Sequence, residues 1–165
     1  MQFSEGQTLI HPHHGPGTVT EVLDRSVNGT IRRYVQVQIH QKDLRIAVPV
    51  EKAHEVGLRS VYAVTQVQEL FGVLRAPTGS QEEAWSRRHK ANSETIRIGD
   101  LLLTAGVVRD LMRRQEERGL STGEKDMLKR ARQPIVAELA LALSLTDGEA
   151  DELLTSAVLC EQQTA

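Results

Sequence analysis

Apolar and polar residues alternate along the first fifty positions and then recur every three or four residues to the end. Thr8–His11 is a short extended run that leads into the turn-rich HPHHGPG, and Gly17–Leu23 is rich in Thr and Val. Asn28-Gly29 is the dipeptide that a two-residue hairpin favours, because both central positions of that turn need a positive φ. In Ile31–Ile39, Val35, Val37 and Ile39 fall on one face, with Tyr34, Gln36 and Gln38 on the other. After a turn at Gln41–Asp43, Leu44, Ile46 and Val48 share a face, which points Arg45 and Ala47 the opposite way before Pro49 ends the strand. Several short strands with one-sided burial predict a small antiparallel β barrel.

Beyond Pro49 the period becomes helical. Val67, Leu70, Phe71 and Leu74 carry a helix that stops at Arg75-Ala76-Pro77. Ser80 and Glu83 fit a capping box opening a helix to about Ile96, with Gly99 as its end and Asp100 as the cap of the next. That next helix runs to about Arg118 on a Leu101, Ala105, Val108 and Met112 stripe. Ser121 and Glu124 form the clearest capping box, starting a helix with Leu128, Ala131, Ile135, Leu139 and Ala142 on one side. Lys125, Lys129 and Arg132 form a second stripe on it, and Pro134 lies inside it, where a bend is expected. Thr146 and Glu149 cap a last short helix. The expected architecture is α+β: an N-terminal β barrel (1–50), a helical connection (51–79) and a C-terminal all-α bundle (80–165) with an acidic tail.

Composition narrows the picture. Aromatics make up only 3% of 165 residues, so the core must be built from Val, Leu, Ile and Ala. No apolar run approaches the roughly 18 to 20 residues of a membrane helix, and MQFSEGQTLI lacks the features of a signal peptide. A soluble, cytoplasmic protein is expected. The single cysteine, Cys160, rules out an internal disulfide and a cysteine-based zinc site. The net charge of −2 conceals a division: 7 basic and 7 acidic residues to Leu74, 13 and 9 in Arg75–Arg132, and 0 and 6 from Gln133 on. The basic middle reads either as a polyanion-facing patch or as a salt-bridged helical surface.

Candidate chemistry is sparse. His11, His13 and His14 crowd into four residues, but Pro12 and the Gly15-Pro16-Gly17 turn favour a structural turn over a metal site, and no cofactor is expected. There is no phosphate loop, nucleophile elbow or dinucleotide fingerprint, and Cys160 has no basic neighbour to activate it, so an enzyme is not expected. The informative stretch is Ala84–Asn92, AWSRRHKAN, where the lone Trp85 precedes Arg87, Arg88 and Lys90. Cations beside a large flat ring can grip phosphates while the ring packs on bases or wedges into a minor groove. A core tryptophan under a solvated basic rim fits the same spacing. A solvent-facing ring would favour the wedge, and a buried one the core.

HPHHGPG, FGVLRAP, WSRRHKAN, VVRDLMRRQEERGLSTGEK and the helix ending VAELALAL together resemble the CarD/CdnL family of bacterial transcription regulators over nearly the whole chain. The resemblance implies a Tudor-like β domain that docks on the RNA polymerase β subunit. It also implies a helical domain that meets promoter DNA at the upstream edge of the transcription bubble and stabilises the open complex. Polymerase contact falls on Arg25 and on the strand position occupied here by Ala47, with Arg45 two residues earlier on the same face. The minor-groove wedge falls on Trp85, and the phosphate contacts on Arg87, Arg88 and Lys90, with Lys125 beside them. The protein would work as a monomer on the nucleoid, held there by polymerase. Asp126 and Pro134 depart from the family pattern. A docking adaptor without DNA contact is the competing expectation; a free architectural DNA binder fits poorly with the pI of about 6.3.

Overall fold

The computed structural model describes residues 2–160, which divide into two compact units, one up to Val61 and one from Tyr62. The first holds strands β1 (Thr8–His11), β2 (Gly15–Val27), β3 (Thr30–Ile39), β4 (Arg45–Pro49) and β5 (Arg59–Ser60). A 3-10 turn (Val50–Lys52) and the single-turn helix α1 (Ala53–Val56) lie between β4 and β5. The strands pair antiparallel in the order β4-β3-β2-β1-β5. The α+β reading holds, but the sheet is open. No ladder joins β4 to the two-residue β5, so the expected barrel does not close.

Strand alternation sets the faces. Leu9, Val19, Val35, Val37, Ile39 and Val48 are buried with Ala53 and Leu58 in one cluster. A bulge at Thr20 between Val19 and Glu21 is the device that keeps this pattern in step: it pairs Val22 with Val35 and turns Glu21, Leu23 and Arg25 to the other face. Gly17 sits opposite Ile39, where an added Cβ would lie 2.6 Å from Val37 Cγ1 and 2.8 Å from the Gln38 carbonyl oxygen, so close packing admits only glycine. Asn28 (φ 50) and Gly29 (φ 79) make the hairpin turn as expected.

The second unit contains α2 (Val64–Arg75), α3 (Trp85–Ile98), α4 (Leu101–Arg118), α5 (Thr122–Leu143) and α6 (Asp147–Leu159). The expected stripes are its core: Val67, Leu70 and Leu74 of α2, Leu101, Ala105, Val108 and Met112 of α4, and Leu128, Ala131, Ile135 and Leu139 of α5 are all buried. The caps also stand where the sequence places them. Asp100 accepts from the Leu103 N–H at 2.9 Å, and Gly99 (φ 81) closes α3. Ser121 with Glu124 and Thr146 with Glu149 form reciprocal boxes. Helix α5 runs unbroken through Pro134.

One boundary differs. The Ser80–Glu83 box does not form, and α3 begins only at Trp85. The backbone carbonyls of Glu82 and Glu83 instead each accept from Arg88 Nη1 at 3.0 Å.

Candidate nucleic-acid interface

The late start of α3 places Trp85 in its first turn, beside the N-terminus of α5. The indole Nε1–H donates to Ser121 Oγ at 2.8 Å across 36 residues of sequence. Ser121 is the N-cap of α5, and its hydroxyl is fully used: it accepts from the Glu124 N–H (3.2 Å) as well as from the indole, and donates to Glu124 Oε2 (3.0 Å). The other carboxylate oxygen of Glu124 accepts from Arg88 Nε at 2.8 Å, with the two side chains 5% and 2% exposed. Burial pushes the Glu124 carboxyl up, but the Arg88 guanidinium and the Ser121 amide and hydroxyl pull harder and hold it below its ordinary value.

Such a buried ion pair survives desolvation only when its remaining donors and acceptors are met. Here the Glu82 and Glu83 carbonyls and the Ser121 groups meet them. The result clamps the start of α3 to the start of α5.

Above this clamp the indole is 50% exposed. One of its faces is covered by His89, a turn later on α3, with ring centroids 5.3 Å apart and planes tilted by 33°. Gly123 lies under the same edge, its Cβ direction 3.8 Å from Trp85 Cζ2. Arg87 and Lys90 are exposed on α3, and Arg87 forms an open ion pair with Glu82 at 3.4 Å. Lys125 is exposed one turn into α5, and its amide donates to the Ser121 carbonyl at 2.9 Å. Trp85, Arg87 and Lys90 thus stand exposed on α3 and Lys125 stands exposed on the first turn of α5, whereas Arg88 turns inward. Sequence reasoning found the Ser121–Glu124 box but not its link to Trp85, because nothing local in the chain reports a contact 36 residues away.

Further along α5, Arg132 leaves the basic stripe: its Nε donates to Asp151 Oδ1 at 2.5 Å and its Nη2 bonds Thr155 Oγ1, both on α6. Lys129 stays exposed.

On the sheet unit, Arg25, Arg45 and Ala47 are exposed on the face opposite the buried cluster. Arg25 lies over the Tyr34 ring at 5.7 Å. Leu23, Tyr34 and Pro49 form a half-buried row across β2, β3 and β4 on that face. Next to it Ala47 faces Gln36, and beyond that Arg45 faces Gln38, so Arg45 stands one row beyond the Ala47 position.

The three histidines stack instead of converging. The His11 ring lies 4.6 Å from that of His14 and 5.9 Å from that of His13, and His11 Nδ1 accepts from the His13 amide at 3.1 Å. Among the described residues no group of three or more His, Cys, Asp or Glu is placed to hold a metal, and no helix is long and apolar enough to cross a membrane. Cys160 is exposed.

Comparison with known families completes this geometry. Residues 3–62 match the CarD-like/TRCF RID domain, an RNA polymerase interaction domain, and residues 69–155 match the CarD C-terminal domain. This pairing defines a transcription factor without enzymatic activity. The chain belongs to the CarD family. It is similar to "Putative transcription factor YdeB" of Bacillus subtilis (strain 168), with 24% identity over 145 residues, 88% of this chain and 95% of that protein.

Proposed function

We propose that the protein binds the RNA polymerase β subunit through the outward face of its sheet, at Arg25, Arg45 and Ala47, and stabilises promoter open complexes through its helical unit. Trp85 enters the minor groove at the upstream edge of the bubble, while Arg87, Lys90 and Lys125 hold phosphates. Arg88, buried against Glu124, acts here as a positioning residue. The observation that carries this reading is the half-exposed indole, fixed at its N–H at the start of a helix that also carries the exposed Arg87 and Lys90. A ring that fits only distorted DNA binds that state preferentially, and only such differential binding shifts the equilibrium. Tethering to polymerase supplies local concentration, so a chain of net charge −2 needs little affinity for bare duplex. Its place of action is the cytoplasm, on the nucleoid.

The test is open-complex lifetime on a weak promoter with cognate polymerase. Trp85→Ala is expected to shorten the lifetime by about fivefold or more, the range of a lost aromatic–base stack. Arg25→Glu is expected to abolish both the lifetime effect and capture of the β subunit. An unchanged lifetime with Trp85→Ala, alongside intact β-subunit binding, would leave a docking adaptor.

A further inference from the structure

The wedge reading needs a ring that is exposed yet does not wander. An unrestrained indole would spread over its rotamers and lose entropy on entering DNA. The structure offers a specific restraint. The Trp85 Nε1–H ends on the one hydroxyl that also caps α5, and that hydroxyl is held by Glu124, itself held by Arg88 from α3. Each link is within hydrogen-bonding distance: 2.8 Å, 3.0 Å and 2.8 Å from indole to guanidinium. His89 and the Cβ-less Gly123 complete a shallow seat for the ring.

We infer that Ser121, Glu124 and Arg88 are positioning residues that pre-organise Trp85 for its target, with Ser121 the decisive contact. The proposal rests on the function proposed above for the purpose of the positioning, but not for the positioning itself. Helix capping alone does not account for the arrangement. Thr146 and Glu149 build the same reciprocal box at α6, at 2.8–3.2 Å, with no indole on the hydroxyl. At Ser121 the remaining acceptor position of the hydroxyl is occupied by Trp85.

Trp85 is the only tryptophan in the chain, so intrinsic fluorescence reads the ring directly in the intact protein. The variants separate positioning from folding. Ser121→Gly removes the hydroxyl while glycine remains an acceptable N-cap, and Ser121→Thr keeps both hydroxyl and cap. Losing one hydrogen bond is expected to shift the ratio of seated to unseated ring by about fivefold in Ser121→Gly, seen as lower fluorescence anisotropy and stronger acrylamide quenching. Ser121→Thr is expected to match wild type, and circular dichroism melts confirm that both variants are folded.

Open-complex lifetime is then measured on the same proteins, and Ser121→Gly is expected to shorten it by about two- to fivefold. Unchanged quenching and anisotropy in folded Ser121→Gly would overturn the positioning claim. Changed fluorescence, with a lifetime that responds to neither Ser121→Gly nor Trp85→Ala, would uphold the seat and remove the DNA function instead. Changed fluorescence with a lifetime that responds to Trp85→Ala alone would also overturn the claim, since the wedge would then work without its seat.

Discussion

The two units handle charge in opposite ways. In the sheet unit Arg25, Arg32, Arg33 and Arg45 all stand outside, and the buried titratable side chain is an imidazole, His11, 8% exposed. In the helical unit three arginines are buried: Arg88, Arg109 and Arg113 are 5%, 8% and 3% exposed, and Glu124 and Glu138 are buried with them. Arg109 pairs with Asp110 at 2.7 Å and donates to the Val73 carbonyl, and Arg113 donates to the carbonyls of Ala76 and Val158. The reason lies in what each architecture leaves unmet. Strand ladders satisfy their own backbone, whereas helix ends and the irregular 76–84 segment expose carbonyls that a planar guanidinium can serve. The 13 basic residues of the middle segment are therefore not 13 charges facing outward. Arg88, Arg109 and Arg113 work inside, and Arg132 is committed to α6. The positive charge available to a partner is therefore less than the sequence count suggests.

The sharpest way to break this comparison is Arg88→Ala. It strands the Glu124 carboxylate and unclamps α3 from α5, so urea unfolding of the helical unit is expected to lose about 3–5 kcal/mol. A loss below about 1 kcal/mol would mean that Arg88 is a surface residue in solution.

Acid should divide the units next. His11 is held below its ordinary value by burial first, then by His14 and His13, and Glu124 lies below its own. Both native pKa values are lowered, so both contributions are full above the unfolded values and are lost as pH falls toward the native ones. The windows differ: loss begins near 6.5 for His11 and only near 4.5 for Glu124. Protonation also abolishes the acceptor that His11 Nδ1 offers the His13 amide. Amide protection factors, the exchange rates referred to the intrinsic rate at each pH, are expected to fall in the sheet unit from pH 7.5 to 5.5 while the α3–α5 clamp stays protected, and His11→Gln should flatten the response.

The smallest effect is expected from the neighbour of Arg88. Arg87→Ala removes an exposed pair with Glu82 and should leave stability within about 0.5 kcal/mol of wild type by thermal melting, while weakening the promoter effect. Two adjacent arginines would then differ several-fold in what they do for the fold.

Arg87 and Arg88 also mark the limit of what the chain discloses. The division into α and β parts was legible because the period of apolar residues changes near Pro49 and because Gly99, Asp100, Ser121 and Thr146 punctuate the helices by local chemistry. Strand β5 was not, since two residues carry no periodicity and owe their strand to pairing with Leu9 and Ile10. The Ser80–Glu83 signature was present but lost to a tertiary demand, the Arg88 guanidinium taking the carbonyls that frame it. Trp85 was recognisable as a candidate from the cations that follow it and from the resemblance of its segment to the family, although a core tryptophan fitted the same spacing. Its seat was not, because the side chain that holds it arrives from another helix.

The extra residue at Thr20 carries a consequence for how this fold can vary. Because the irregularity is confined between Val19 and Glu21, the distal arm keeps the same pairing from Glu21–Gln36 out to Val27–Thr30. Removing that one residue would restore a regular ladder without exchanging the two sides of the arm, whereas a deletion further along would swap Asp24 for Arg25 on the outer side. Length changes among related chains can thus be absorbed at this position, while the tip is bound to its count.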